Sequence, residues 1–131
     1  MSRSSRPVVV DANIAVHGVL ETDLSPLAER CWLAWREADV ATCAPRLWLY
    51  EVTSAIHRVY MQGQIREEQA LTALEIALGL GVQLVPDDGL ATQAFRWATR
   101  LRRLATYDCF YLALAERLGA EFWTADRSLA N

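Results

Sequence analysis

Residues 107–126 read YDCFYLALAERLGAEFWTAD, and the rest of the chain is organised around this stretch. It predicts a helix that is apolar on nearly every side and is therefore buried. Gly119 suits the position just past the helix end, where a positive φ is needed, and a short strand is predicted at residues 122–124. Asp108 stands in the first turn of the predicted helix, and Asp126 lies just beyond the carboxyl end of the strand. An ionised carboxylate beside an apolar unit is costly to desolvate unless it is paired or binds a cation, so both acids need partners from elsewhere in the chain.

The composition indicates one globular domain over residues 1–131. Hydrophobic residues make up 53% of the chain, which excludes disorder, and no apolar run approaches the roughly 18 residues that span a membrane. Residues 1–6 are polar and unlike a signal peptide. Cys31, Cys43 and Cys109 are odd in number and lie in apolar surroundings, which is typical of reduced core cysteines rather than of disulfides or zinc ligands. We therefore expect a cytoplasmic protein.

The overall charge does not by itself favour nucleic-acid binding. The net charge is −3, and all 13 basic residues are arginine because the chain contains no lysine. Phosphate contacts usually need a basic surface, so nucleic-acid binding would depend on local arginines or on metal ions that reverse the sign of an acidic pocket. One basic cluster lies at the distal end of a predicted helix, where a solvated helix end and a phosphate-binding surface are both open interpretations. It comprises Arg96, Arg100, Arg102 and Arg103.

Strands and helices alternate along the rest of the chain. Apolar runs predict three further strands, at residues 8–10, 40–43 and 82–85. Helices are predicted over residues 14–20, from 25 onward, over 45–62, from 66 to 79 and from 86 to 103, with Asp87 and Asp88 as caps of the last of these. Strands joined by helical crossovers indicate a parallel sheet with helices on both faces. The functional site of such a sheet lies beyond the carboxyl ends of its strands.

Four acids from separate parts of the chain fit a site at that edge of the sheet. Asp11 follows the first strand, although a simple helix cap is the alternative. Glu51 lies near the edge of the buried stripe of the long helix, where a solvated glutamate is the alternative. Together with Asp108 and Asp126 these carboxylates would repel one another, and a bound divalent cation would remove that penalty. Oxygen ligands without cysteine or histidine suit Mg²⁺ or Mn²⁺.

Four short sequence blocks follow one another along the chain. They are Val9-Val10-Asp11-Ala12-Asn13, Pro45 and Leu47 before Glu51-Val52, Tyr107-Asp108 with Leu112-Ala113 and Ala115, and Thr124-Ala125-Asp126. No single block is specific, but the four in this order and spacing resemble the PIN domain family and, within it, the small VapC-type toxins. The resemblance runs from Val8 to the end of the chain.

The resemblance implies a three-layer α/β/α sandwich around a parallel sheet of about four to five strands. It also implies a metal-dependent endoribonuclease, in which one or two Mg²⁺ or Mn²⁺ ions activate water for attack on an RNA phosphodiester. Asn13 and Thr124 would help to hold a metal or its water. An RNA substrate, a cognate antitoxin and a homodimer are implied as partners, but the resemblance does not select among the four arginines as phosphate contacts. The acidic pocket would be formed by Asp11, Glu51, Asp108 and Asp126.

Three alternatives stay open at the level of sequence. A PIN-type nuclease of RNA processing or decay would work without an antitoxin, whereas a small gene directly upstream would favour the toxin. A receiver-like or phosphatase-like domain also uses an aspartate after its first strand with Mg²⁺. Such a domain needs a second acid close to the first or a lysine near a late strand, and this chain has no lysine. A non-catalytic module with the same fold is disfavoured because all four acids are present.

Overall fold

The computed structural model describes residues 6–103 and 105–126, which form four β-strands and six α-helices. The strands are β1 (Val8–Val10), β2 (Thr42–Pro45), β3 (Gln83–Val85) and β4 (Glu121–Trp123). The helices are α1 (Ala12–Val19), α2 (Ser25–Glu37), α3 (Leu47–Met61), α4 (Glu67–Leu78), α5 (Ala91–Leu101) and α6 (Cys109–Leu118), and a short 3-10 helix at Asp88–Leu90 precedes α5. Of the helices in these two ranges, none has the length and apolar character that crossing a lipid bilayer requires.

The four strands form one parallel sheet in the order β3-β2-β1-β4. Val9 of β1 lies opposite Cys43 of β2 on one side and opposite Phe122 of β4 on the other. All three valines of β1 are buried, as a continuous β-branched run predicts for a central strand. From β1 the chain moves outward to β2 and β3 and then returns to the other side of β1 at β4. The carboxyl ends of β1 and β4 therefore lie side by side where the direction of winding reverses.

The predicted α/β/α architecture around a parallel sheet is confirmed. Helices α1 to α4 pack against one another, whereas α5 packs against α6, and α6 contacts β1 and β2. One hydrophobic cluster joins the strands to the helices, and Tyr111 and Leu114 of α6 are fully buried in it. Cys43 and Cys109 are buried and Cys31 is half-buried, and all three are free thiols.

The predicted bounds of the second strand are wrong. The strand begins at Thr42 and ends at Pro45, instead of covering residues 40–43, and Pro45 does not start the long helix. Pro45 lies opposite Val85 of β3, and the next residue, Arg46, donates its N–H to the Val85 carbonyl at 3.0 Å. Pairing with β3 therefore keeps the chain extended through a proline that would also suit the first position of a helix.

The ends of the last two helices also differ from the prediction. α5 stops before Arg102 rather than reaching residue 103, because Arg102 adopts a left-handed conformation with φ 58°. Asp108 precedes α6 and is not part of its first turn. Gly119 ends α6 at φ 61°, as its sequence position predicts. β4 ends one residue before Thr124, so Thr124 begins the loop beyond the carboxyl end of that strand.

The prediction that Asp87 and Asp88 cap the helix that follows them is wrong. Asp87 Oδ2 accepts a hydrogen bond from the Leu47 N–H at 3.0 Å, so this side chain satisfies the first turn of α3 instead. Asp88 is exposed and is the first residue of the 3-10 helix. The pairing of β2 with β3 brings the loop after β3 to the start of α3, which explains why Asp87 caps a helix that begins 40 residues earlier.

Candidate active site

The four predicted acids come together at the carboxyl edge of the sheet. Asp11 directly follows β1, and Asp126 lies in the loop after the neighbouring strand β4. The Asp11 N–H donates to the Trp123 carbonyl at 2.9 Å, which holds the two segments together. Glu51 comes from the second turn of α3, and Asp108 from the residue before α6. The charges of Asp108 and Asp126 act on Asp11, and those of Asp11 and Asp108 act on Glu51, so the four carboxylates share one electrostatic environment.

Asp11 is the most buried of these acids, with 7% of its surface exposed. Burial raises the pKa of its carboxyl, and the charges of Asp108 and Asp126 raise this pKa further. Two hydrogen bonds favour the ionised form: the Asn13 N–H donates to Oδ1 at 3.3 Å, and the Thr124 hydroxyl donates to Oδ2 at 2.8 Å. The bond from the Asn13 N–H also makes Asp11 the N-cap of α1. Asp11 therefore caps α1 and also lies among the four acids, although the sequence offered these two roles as alternatives.

Thr124 stands at the centre of the hydrogen bonds around Asp11. Its hydroxyl accepts from the Asn13 side-chain amide at 3.2 Å and from the Asp126 N–H at 3.0 Å. Because both nitrogens are donors, the hydroxyl hydrogen is left to point at the Asp11 carboxylate. Asn13 in turn accepts from the Ala125 N–H at 3.1 Å. The two auxiliary residues predicted from the sequence thus connect Asp11 to the loop that carries Asp126.

Glu51 is half-buried and is held by Tyr111. The Tyr111 hydroxyl donates to Glu51 Oε1 at 2.6 Å. The pKa of Glu51 is raised to about 7. Burial is the largest cause, the bond from Tyr111 opposes the rise, and the charges of Asp11 and Asp108 add to it. Burial and the nearby Glu51 charge also raise the pKa of Tyr111, so the phenol stays protonated and can donate. Without a cation, Glu51 is therefore partly protonated near neutral pH.

Tyr111 is the site residue that the sequence interpretation misses. It is fully buried and stacks on Phe122 with ring centroids 5.6 Å apart. The available signal is chemical, because a tyrosine in the middle of a buried helix needs a partner for its hydroxyl. The sequence does not reveal that partner, since Glu51 lies 60 residues away along the chain.

Of the four clustered arginines, Arg103 reaches the acids. Its Nη1 lies 3.6 Å from Asp108 Oδ2, and both side chains are partly exposed. Arg96 and Arg100 are exposed on α5, and Arg102 is exposed in the turn that ends this helix. A partly exposed ion pair contributes about 1 kcal/mol or less, so this pair by itself adds little to the stability of the fold.

The chemistry of the donors fits a hard divalent cation. The four acids offer only carboxylate oxygens, the ligand type that Mg²⁺ and Mn²⁺ prefer, and they could hold such an ion. Within residues 6–103 and 105–126, no three His, Cys, Asp or Glu side chains are already grouped closely enough to hold a metal. The acids are nevertheless close enough to raise the pKa of Asp11 and of Glu51, and this repulsion is the penalty that a cation removes.

Comparisons with known proteins agree with this architecture. The family model of the PIN domain matches residues 8–131. No curated protein matches the chain at a significant level. The fold is similar to that of VapC20 of Mycobacterium tuberculosis, a sarcin-ricin loop cleaving toxin, at 18% identity with a TM-score of 0.71, covering 94% of this chain and 93% of that one. It is also similar to PAE2754 of Pyrobaculum aerophilum at 22% identity with a TM-score of 0.70, covering 95% of this chain and 77% of that one. Because the family model spans nearly the whole sequence, the protein belongs to the PIN domain family.

Proposed function

We propose that this protein is a metal-dependent endoribonuclease and acts in the cytoplasm as the toxin of a toxin–antitoxin pair. The observation that supports the nuclease most directly is the convergence of four carboxylates at the edge of the sheet where β1 and β4 end. The charges of neighbouring carboxylates raise the pKa of Asp11 and of Glu51, and perturbed pKa values of this kind are typical of functional sites. The acids are Asp11, Glu51, Asp108 and Asp126.

The protein's own residues orient these acids in distinct ways. Thr124 and the Asn13 N–H hold the two oxygens of Asp11, and Tyr111 holds Glu51. When bound, one or two Mg²⁺ or Mn²⁺ ions supply a water of lowered pKa and neutralise charge that develops on the phosphodiester. The acids then act as ligands, and none of them needs to transfer a proton itself.

The clustered arginines are proposed to bind RNA phosphates. Arg96 and Arg100 on α5 and Arg102 in the following turn are exposed, and Arg103 lies beside the Asp108 carboxylate. Arg96 and Arg100 lie one helical turn apart and so share a face of α5, in a protein whose net charge is −3. Arginine suits this role because its planar guanidinium binds phosphate through two parallel N–H donors.

An apolar groove favours the toxin over a nuclease that works without an antitoxin. The groove has a volume of about 610 Å³ and lies between α1, α2 and the end of β4. Leu27 and Trp123 in its lining are 53% and 39% exposed. Such a groove accepts the apolar face of an amphipathic helix, which is how we expect the antitoxin to bind. A homodimer is proposed as well, and analytical ultracentrifugation tests it.

The nuclease is tested with a panel of structured and single-stranded RNAs and the purified protein. The panel includes a sarcin–ricin loop RNA, because the structurally similar VapC20 is a toxin that cleaves this loop. Reactions with Mg²⁺ or Mn²⁺ should yield products with a 5′-phosphate, and EDTA should stop them. Asp11→Asn is expected to fold and to abolish cleavage, whereas Asp88→Asn removes an exposed carboxylate and should cleave normally. Normal cleavage by a folded Asp108→Asn protein would remove that residue from the site.

The antitoxin requires a separate test. Expression of the protein in bacterial cells should arrest growth. The toxin proposal requires a small gene directly upstream whose co-expression restores growth. Asp11→Asn should not arrest growth. Leu27→Arg places a charge in the apolar groove and should prevent the rescue. RNA cleavage by the purified protein without any rescue by the upstream gene would instead support a PIN-type nuclease of RNA processing.

A further inference from the structure

Two exposed tyrosines directly precede proposed metal-binding acids, Tyr50 before Glu51 and Tyr107 before Asp108. Tyr50 is 60% exposed and Tyr107 is 67% exposed, whereas Tyr111 is fully buried. Packing of the core therefore does not account for the first two rings. Their positions next to two acids suggest that they contact whatever binds at those acids.

Both tyrosines line one cleft of about 460 Å³. Most of the lining comes from one face of α3, with the helical spacing of Leu47, Tyr50, Glu51, Ser54, Ala55 and Arg58. Tyr107 lines the cleft from the segment before α6. Glu51 lines this cleft and is also one of the four acids at the edge of the sheet, which we call the acid site. The cleft and the acid site are therefore continuous. Arg58 lies two helical turns beyond Glu51, about 10 Å further along the axis of α3.

The lining of this cleft suits a nucleotide better than a peptide helix. The two tyrosine rings offer stacking surface, and Arg58 offers a guanidinium for a phosphate. The groove beside β4 also contains an arginine and two tryptophans, but apolar side chains make up most of its lining. An RNA strand with a phosphodiester at the acids carries a base on either side of that phosphate, and the cleft begins at one of those acids. The occupant that matches the aromatic rings, the arginine and the continuity with the site is therefore single-stranded RNA.

We propose that this cleft is a base-binding subsite, in which Tyr50 and Tyr107 stack on the base next to the scissile phosphate and Arg58 binds a neighbouring phosphate. The subsite rests on the proposed ribonuclease function, because it places RNA at the same acids. Every base has a π-face, so stacking selects bases that are unpaired rather than one particular base.

The test measures RNA binding separately from cleavage. Fluorescence anisotropy follows a labelled single-stranded RNA bound to protein in the Asp11→Asn background, so that the RNA stays intact. Tyr50→Ala and Tyr107→Ala are each expected to weaken binding about 5- to 100-fold, the range for loss of one stacked base, whereas the two Tyr→Phe variants should bind normally. Leu71→Ala is the control, because Leu71 is an apolar side chain 57% exposed on α4, outside this cleft.

A second RNA, which lacks the base next to the scissile phosphate, identifies the group that is stacked. With this RNA the Tyr→Ala variants should bind as well as the parent protein, since the interacting pair is already broken. Arg58→Gln should weaken binding of both RNAs and reduce the salt dependence of affinity. Unchanged RNA affinity in both Tyr→Ala variants overturns the subsite, and cleavage by the wild-type protein would then leave the nuclease intact. A wild-type protein that neither binds nor cleaves any RNA would contradict the nuclease and the subsite together.

Discussion

Two opposing effects act on the pKa of Asp11 and on the pKa of Glu51. Burial raises the pKa of both carboxyls, while hydrogen bonds from Thr124, from the Asn13 N–H and from Tyr111 favour their charged forms. The hydrogen bonds orient the carboxylates, and the remaining cost of ionisation is what a cation would offset. At the scale of residues, the metal-free and the metal-bound protein are therefore expected to respond differently to pH and to mutation.

Tyr111→Phe removes the hydroxyl that donates to Glu51 Oε1. We expect the free energy of unfolding to fall by about 1–3 kcal/mol, because the half-buried Glu51 carboxyl loses its hydrogen-bond donor. The pKa of Glu51 should rise, because the bond from Tyr111 lowers it. Mn²⁺ competes with protons for the carboxylate, so the pH dependence of Mn²⁺ binding should shift to higher pH. Urea unfolding and Mn²⁺ titrations measure the two effects, with Tyr60→Phe as the control. An unshifted Mn²⁺ titration would mean that Tyr111 supports the fold but not Glu51.

The metal-free protein should lose stability as pH rises from about 4.5 to about 7. The pKa of Glu51 moves from its ordinary value of 4.5 to about 7 in the folded protein, so the folded state binds more protons in this window. Its contribution is fully present below 4.5 and is lost as pH passes through about 7. The raised pKa of Asp11 acts in the same direction.

Thermal melts in EDTA at a series of pH values test this prediction. Glu51→Gln should flatten the pH dependence of the melting temperature, whereas Glu75→Gln, on the exposed surface of α4, should not. Stability that increases with pH across the window would contradict the raised pKa.

At the scale of elements, contacts between segments complete what the local sequence leaves open. Arg46 precedes α3 without a side-chain cap, and Asp87 supplies the missing acceptor from the loop after β3. This contact exists because β2 and β3 are parallel neighbours whose carboxyl ends lie together. The start of α3 is thereby tied to the sheet one turn before Glu51.

Asp87→Ala is expected to lower the free energy of unfolding by about 1 kcal/mol, as loss of a helix cap does. Asp88→Ala, which truncates the exposed neighbour, should change it by less than about 0.5 kcal/mol. Urea unfolding of both variants beside the wild type measures the difference. Equal effects of the two substitutions would show that the hydrogen bond from the Leu47 N–H to Asp87 does not contribute to the free energy of unfolding.

At the scale of the whole molecule, the acid site lies where segments from four parts of the chain meet. A cation bound there should therefore stabilise the entire fold. Mg²⁺ or Mn²⁺ at about 100 times its dissociation constant should raise the free energy of unfolding by about 2.7 kcal/mol, provided that the unfolded chain does not bind it. Calorimetric melts should show a gain that EDTA reverses, that Asp11→Asn largely loses and that Asp88→Asn keeps. A wild-type melting temperature that neither cation changes would contradict the metal site.

Local signals predict most of the fold. Three consecutive valines indicate a buried central strand, and alternating strands and helices indicate a parallel sheet; both predictions are confirmed. The predicted bounds fail at Pro45 and at Arg102. Pairing with β3 overrides the helix-starting tendency of the proline, and a left-handed backbone conformation ends α5 early. Neither effect has a signature in the neighbouring residues.

Patterns along the chain identify the family, the architecture and the order of the elements, and they select the four candidate acids by their places at strand and helix ends. Which side chains hold these acids, and what surrounds them, depends on how distant segments pack. Patterns of burial, capping and turn formation act over a few neighbouring residues, so they can be recognised along the chain. The contacts that build the site join residues 40 to 113 positions apart, and they form only once the register of the parallel sheet is set. They include the bond from Tyr111 to Glu51, the bond from Thr124 to Asp11, the cap that Asp87 provides for α3, and the cleft that Tyr50 shares with Tyr107.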